Sequence, residues 1–268
     1  MSDRNKDQYI LSSLTNALDL LSELATVPNM GVTELSQKLG LGKSSVFRML
    51  YTLEQKGFVQ KVEDSRYSLG IKAAIIGRAA DNQLNNFKVI HYIVEEPAKK
   101  TSVAAYLCIL ATDCSMIFAD SAFGDSPLQF RASVGTHYPA YCSGSGKMLL
   151  SYLLGSEQEE KLYGINLFPF TPTTITNVQR LKTELAEIRE RGWSMDDGEG
   201  EANLICYGMP VLSKDGRCIC ALSVSGLQQI MIDRREEFFE ALKDGVKSLE
   251  IYSELVEEYV GMYNGLKL

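Results

Sequence analysis

Histidine is scarce in this chain of 268 residues: there are two, and neither His91 nor His137 stands at metal-ligand spacing from the other or from a cysteine pair. The six cysteines form no C-x-x-C motif, which further argues against a zinc site. Cys218 and Cys220 are expected on one strand face as buried thiols. A long hydrophobic run is also missing. The longest, Val103–Ala111, has nine residues, whereas a membrane helix needs about 20. Residues 1–8 hold no apolar stretch, so no secretory leader is expected, and the cysteines read as reduced thiols of a cytoplasmic protein. The sequence has no G-x-S-x-G hydrolase elbow. Ser143-Gly-Ser-Gly-Lys147 falls short of a phosphate-binding loop, because Tyr141 and Met148 stand where Gly and Ser/Thr are required. No catalytic residue, metal or cofactor is therefore assigned.

Basic excess is lacking too. Against 27 Lys and Arg stand 34 Asp and Glu, a net charge of −7. The balance is uneven along the chain. Residues 1–70 hold eight basic and eight acidic side chains, so residues 71–268 carry the whole excess, 19 against 26. The larger part is therefore a poor non-specific binder of phosphate backbones, while the first third stays open to nucleic acid.

What is present is ordinary globular composition, 45% hydrophobic and 23% charged, long enough for two domains at about 100–200 residues each. The pattern predicts an α+β protein with three parts: residues 1–70, a helical linker over 71–100, and a domain over 101–268. In the first part, Ile10, Leu14, Leu18, Leu21 and Ala25 predict one apolar helix stripe. Thr33 is expected to cap a short helix ending at Gly40, and a third helix covers Lys43–Lys56. Two strands, Phe58–Val62 and Arg66–Leu69, follow around a polar turn. Ile71, Ile75 and Ala79 predict a core stripe in the linker. Beyond it, strands are expected over 103–111, 115–122, 128–132, 204–211 and 219–224, and helices over 144–154, 177–191 and 233–263. Thr176 and Asp233 read as starts of capping boxes. This mixture predicts an antiparallel sheet flanked by helices.

Three helices and a hairpin make the order of a winged helix-turn-helix. At about 100° per residue, Val46, Met49, Leu50 and Leu53 of the third helix face the core. Ser44, Arg48, Tyr51 and Gln55 then face outward, with groups that hydrogen-bond base edges and phosphates. Lys43 and Ser45 lie at the helix start, where backbone N–H groups favour a phosphate. Thr33, Phe47 and, in the hairpin, Arg66 complete the expected DNA-facing set. The same face also fits an ordinary solvated helix surface.

In the second part, Ser143-Gly-Ser-Gly146 opens a helix. Either its N–H groups and glycines cradle a ligand carboxylate, or Ser143 caps the helix and the glycines make the turn. In strand 219–225, Ile219, Ala221, Ser223 and Ser225 alternate to one face, and both hydroxyls there need partners.

Several segments together resemble IclR-type bacterial transcriptional regulators: Ala17-Leu-Asp-Leu-Leu21, Val32-Thr-Glu-Leu-Ser36, Leu41-Gly-Lys-Ser-Ser-Val-Phe-Arg-Met-Leu50, Gly57-Phe-Val-Gln60, Arg66-Tyr-Ser-Leu-Gly70, Ser133-Val-Gly135, Ser143-Gly-Ser-Gly-Lys-Met-Leu-Leu150, Thr171-Pro-Thr-Thr-Ile-Thr176, Arg189-Glu-Arg-Gly-Trp193 and Leu222-Ser-Val-Ser-Gly226. The resemblance spans nearly the whole chain in the family's order. It implies an operator-binding winged helix-turn-helix and a GAF/PAS-like domain for a small effector, often an organic or aromatic acid. It also implies that Gly144, Ser145, Asp196, Cys206, Ser223 and Ser225 line the effector site. The chain departs from the family at Tyr141, where His is frequent, and at Phe47, often polar. The expected regulator, repressor or activator, is a homodimer or dimer of dimers on a palindromic operator of double-stranded DNA, with half-sites about 10 base pairs or a multiple apart. The linker and the C-terminal helix would carry the effector signal. The competing expectation is a small-molecule enzyme or sensor whose first domain only docks protein.

Overall fold

The computed structural model describes residues 10–127 and 129–264. Two compact units emerge, Met1–Asn85 and Asn86–Leu268. The first holds α1 (Ser12–Thr26), β1 (Met30–Gly31), α2 (Val32–Leu39), α3 (Lys43–Gln55), β2 (Val59–Lys61), β3 (Arg66–Leu69) and α4 (Ile71–Gln83). The wing is a three-stranded antiparallel sheet with β3 in the middle. Leu20, Leu24, Leu35, Val46 and Leu50 make a small core with Met30, Val59 and Tyr67. Val46 and Leu50 sit one turn apart, so a single stripe anchors α3 and leaves its other side in solvent.

Three expectations for this unit are corrected. Helix α2 starts at Val32, earlier than expected; the cap is Gly31, whose N–H donates to the Glu34 carboxylate at 2.7 Å, and Thr33 lies inside the first turn. Helix α1 buries Leu20 and Leu24, with Leu21 packed beside them. The predicted line through Ile10, Leu14 and Leu18 is instead 54–56% exposed, because α1 carries two apolar stripes and this core accepts one. Ile71 and Ile75 of α4 are exposed as well, and no described residue of α4 over 71–80 is buried.

The second unit holds α5 (Lys88–Thr101), β4 (Ala104–Leu110), β5 (Ser115–Phe123), β6 (His137–Pro139), α6 (Gly144–Ser151), α7 (Val178–Arg191), β7 (Ser194–Asp197), β8 (Leu204–Leu212), β9 (Cys218–Leu227), α8 (Gln228–Asp233), α9 (Arg235–Ile251) and α10 (Ser253–Asn264). Its six strands run β6-β5-β4-β9-β8-β7, every neighbour antiparallel. One sheet face packs Leu107, Leu222 and Val224 against Val94 of α5 and Phe238 and Leu242 of α9. The other packs Tyr106 and Ala221 with Met148 and Leu150 of α6 and Leu181 and Ile188 of α7. Both faces of the central strands are covered, which is why β4 reads as a continuous apolar run. The predicted linker over 71–100 falls on both sides of the division between units.

Other differences are local. Residues 129–132 are irregular, and Leu128 lies outside the described residues. The Gln129 side chain donates to the carbonyls of Gly124 and Ser126, tying the segment into a loop. The short edge strands β6 and β7 carry little periodic signal and went unpredicted. The C-terminal helix is two helices broken at Tyr252, and its first cap is Arg234 rather than Asp233. Helix α7 is capped by Asn177, which accepts the Arg180 N–H at 3.0 Å, rather than by Thr176. Helix α6 ends at Ser151. Val211 pairs with Cys220 and Leu212 with Cys218, so Ile219 is skipped in a bulge. The bulge sends Ile219 to the α5/α9 face beside Cys220 and Cys218 to the α6/α7 face, correcting the expected face of Ile219 and the single face expected for the two thiols. No described helix is long and apolar enough to cross a membrane.

Candidate functional site

On α3, Lys43, Ser44, Ser45, Phe47, Arg48 and Tyr51 are all exposed, as is Thr33 on α2. No side chain caps the α3 N-terminus at Gly42 and no acid lies in its first turn, which leaves N–H groups open to an anion. Arg66 is exposed but committed. Its guanidinium makes two 3.1 Å bonds to the Glu34 carboxylate and another to the Asn29 carbonyl. Arg66 therefore ties the wing to α2. The Gly31 N–H and then Arg66 hold the Glu34 carboxyl below its usual range.

The other predicted residues meet in the second unit. Asp196, Cys206 and Ser225 are direct neighbours across β7, β8 and β9. Ser223 lies between Gly208 of β8 and Tyr106 of β4. Gly208 has no side chain, so the N-terminus of α6 comes close: a Cβ there would stand 3.0 Å from the Ser145 nitrogen. Beneath α6 is a cavity of about 40 Å³, lined by Ser143, Ser145, Asp196, Cys206, Ser223 and Ser225. That is room for a few water-sized groups at about 10–15 Å³ each. Gly144 does not line the cavity. A Cβ on Gly144 would meet the Cys206 carbonyl at 2.6 Å, so the glycine admits protein backbone rather than a ligand. Ser143 both caps α6, accepting the Gly146 N–H at 3.0 Å, and lines the cavity.

Sequence reasoning missed the rest of the wall. Tyr106, Phe118, Phe130 and Tyr138 form an aromatic side, with Tyr106–Phe118 centroids 5.1 Å apart and Phe130–Tyr138 centroids 5.9 Å apart. Met116, Leu204 and Glu201 complete it. Alternation places Met116 and Phe118 on one face of β5, but only the strand pairing brings that face over Ser223.

The polar groups here are poorly satisfied. The Ser223 hydroxyl is fully buried and has no oxygen or nitrogen partner; only the thiols of Cys108 and Cys206, weak hydrogen-bonding groups, face it. Besides its cap bond, the Ser143 hydroxyl reaches the Met116 sulfur at 3.1 Å and the Ala140 carbonyl at 3.5 Å, and the Ser145 hydroxyl reaches the Met116 sulfur at 3.4 Å and faces the Cys108 thiol. Burial pushes the Cys206 thiol up to about 12, so it is a protonated donor and not a nucleophile. Burial also pushes the Asp196 carboxyl up to about 7, although its Oδ1 accepts the Glu199 N–H at 2.6 Å. Behind Asp196, the buried Lys147 is paired with Glu199, and Glu184 lies 4.0 Å from Lys147 and 2.9 Å from Arg191. Among the described residues no group of three or more His, Cys, Asp or Glu is arranged to hold a metal ion.

Comparison with known proteins agrees with this architecture. Residues 13–63 match the IclR helix-turn-helix domain, and residues 79–251 match the bacterial transcriptional regulator IclR C-terminal domain. The chain is 31% identical over 219 residues to the acetate operon repressor of Salmonella typhimurium, covering 81% of this chain and 80% of that one. A transcriptional regulator from Alicyclobacillus acidocaldarius superposes with a TM-score of 0.77 at 25% identity, over 94% of this chain and 100% of that one. An IclR homologue from Microbacterium hydrocarbonoxydans, solved with 4-hydroxybenzoate, shares the fold with a TM-score of 0.70 at 21% identity, over 89% of this chain and 98% of that one. The chain belongs to the IclR family of bacterial transcriptional regulators.

Proposed function

We propose that this regulator binds a palindromic operator as a dimer or dimer of dimers and senses a small organic acid in the α6 cavity. The observation that carries the effector reading is the fully buried Ser223 hydroxyl, which finds no oxygen or nitrogen partner and meets only the weakly bonding thiols of Cys108 and Cys206, beside Ser225, Ser145 and Asp196. A native core seldom leaves such a group so weakly paired, and a ligand oxygen would satisfy it. The hydroxyls and the amide end of α6 are donors suited to a carboxylate. The volume favours an acid of a few heavy atoms, and the aromatic wall would set its limits.

The DNA reading rests on the uncapped start of α3 and its exposed Ser44, Arg48 and Tyr51. Two helices presented by a dimer would meet two half-sites. The exposed Leu14 and Leu18 of α1 and Ile71 and Ile75 of α4 offer apolar surface for self-association. An effector coupling of about 1–3 kcal/mol would change operator affinity about 5- to 150-fold.

The test pairs thermal unfolding with operator binding. A carboxylic acid at about 100 times its dissociation constant should add about 2.7 kcal/mol to stability and shift operator affinity. A panel of small acids that moves neither quantity refutes acid sensing. Absence of DNA affinity at low salt refutes the DNA reading.

A further inference from the structure

We propose that the cavity takes up a proton together with an anionic effector, and that Asp196 receives it. This inference rests on the acid-sensing reading and deepens it. No Lys, Arg or His is among the described residues lining the cavity, while Asp196 and Glu201 are both there. The nearest cation, Lys147, is fully buried on α6 and already paired with Glu199, with Glu184 at 4.0 Å. Arg191 is paired with Glu184 at 2.9 Å. Two cations thus stand against four carboxyl groups; Asp196 and Glu201 both lack an ion pair among the described residues, and of these two Asp196 is the buried one, Glu201 being exposed to solvent.

The groups facing Asp196 from each packed element do not change this. Helix α6 offers only the committed Lys147, and the segment after β7 offers the Glu199 carboxylate. The thiol of Cys206 on β8, the phenol of Tyr138 on β6 and the thiol of Cys142 before α6 face it as well, each held neutral by burial. A carboxylate ligand entering here meets no unpaired cation. Beside an ionised Asp196 it would meet a like charge in a dry site, which drives one of the two acids to hold a proton. A simple carboxylic acid titrates near the ordinary carboxylate range of about 4, so the proton goes to the buried Asp196. The proton comes from solvent. Protonated Asp196 then donates its O–H to the ligand, while its other oxygen keeps accepting the Glu199 N–H. Affinity is therefore flat where Asp196 is already neutral, below about pH 7, and falls about tenfold for each pH unit above that. A neutral polyol would use ionised Asp196 as an acceptor and show the opposite trend.

The test is calorimetry on the full chain with lactate, glycolate and 4-hydroxybenzoate as probes. Each is titrated at pH 6 and pH 8.5, in two buffers of different ionisation enthalpy. An acid that binds at pH 6 is expected to bind at least tenfold more weakly at pH 8.5 and to take up close to one proton per site there. Asp196→Asn, whose amide oxygen still accepts the Glu199 N–H, should bind equally at both pH values with no uptake. The buffer comparison on the unaltered protein decides the matter even where that variant fails to fold. Binding that is indifferent to pH, or that strengthens with pH, overturns the proposal and leaves acid sensing standing. Binding by none of the three acids at pH 6 overturns both.

Discussion

The two units put their working residues on opposite sides of their cores. In the first, the candidate DNA-binding groups of α3 are the outward remainder of a helix whose other stripe is buried. In the second, the candidate ligand-binding groups point inward, and three strands and one helix must come together before they share a cavity. The outward set can be read by angle on a single helix. The inward set depends on strand order and register, which one strand's alternation does not contain. Cys206 and Ser225 lie far apart in sequence yet are direct neighbours on β8 and β9.

The largest effect expected from any single change lies in the small core of the first unit. Leu50 is fully buried under α3, and Leu50→Ala should cost about 2–5 kcal/mol. Calorimetry should then show the first unit melting early, with the transition of the second unaltered. A single shared transition that moves as a whole would erase the contrast between the units. In the second unit, Gly144→Ala places a methyl 2.6 Å from the Cys206 carbonyl and should cost about 1–3 kcal/mol by overpacking. That loss should fall on the second transition alone.

Arg48→Ala tests the outward site without touching a core. Loss of a guanidinium contact to DNA should weaken operator binding by about 1–3 kcal/mol, measured by mobility shift, with both melting transitions unmoved. Unchanged affinity would remove Arg48 from the DNA face. Ligand-free stability offers a further contrast through pH. Burial raises the Asp196 carboxyl to about 7, above its ordinary value of 3.8. Its contribution to folding is therefore full below about pH 4 and is lost as pH rises to about 7. The melting temperature of the second unit should fall across that window, and Asp196→Asn should flatten the fall; an equal pH slope in the variant would deny Asp196 that role.

How much of this was legible follows the same divide. The stripe Val46–Leu50 and the outward Ser44, Arg48 and Tyr51 were readable because helical periodicity is local. The burial of α1 was misread because Leu14 and Leu18 are as apolar as Leu20 and Leu24, and periodicity does not say which stripe a core will take. Ser223 and Ser225 were visible as two hydroxyls on one strand face. The resemblance to a family, not periodicity, brought Asp196 and Cys206 beside them. The aromatic wall stayed hidden because Tyr106 and Phe118 look like any core residues until their strands pair. The bulge at Ile219 was invisible for the same reason, since alternation alone assumes an unbroken ladder. The engagement of Arg66 by Glu34 depends on tertiary folding that no local motif announces.

The smallest expected effect on stability is also the sharpest probe of the inward site. Ser223→Ala removes a hydroxyl that is fully buried and bonds no oxygen or nitrogen, only the weak thiols of Cys108 and Cys206. In a plain core that change should be neutral or slightly stabilising, because a poorly paired polar group is costly to bury. If the hydroxyl is kept for a ligand, the same variant should lose about 1 kcal/mol of effector binding, the net contribution of one hydrogen bond. Adding Ser225→Ala should deepen that loss while operator affinity without ligand holds. Thermal unfolding with and without a binding acid separates the two contributions. A variant that is destabilised when empty would show that Ser223 serves the fold. One that is unaffected when empty and weaker when loaded would show that the second unit accepts a poorly satisfied group in its interior so that the effector can complete it.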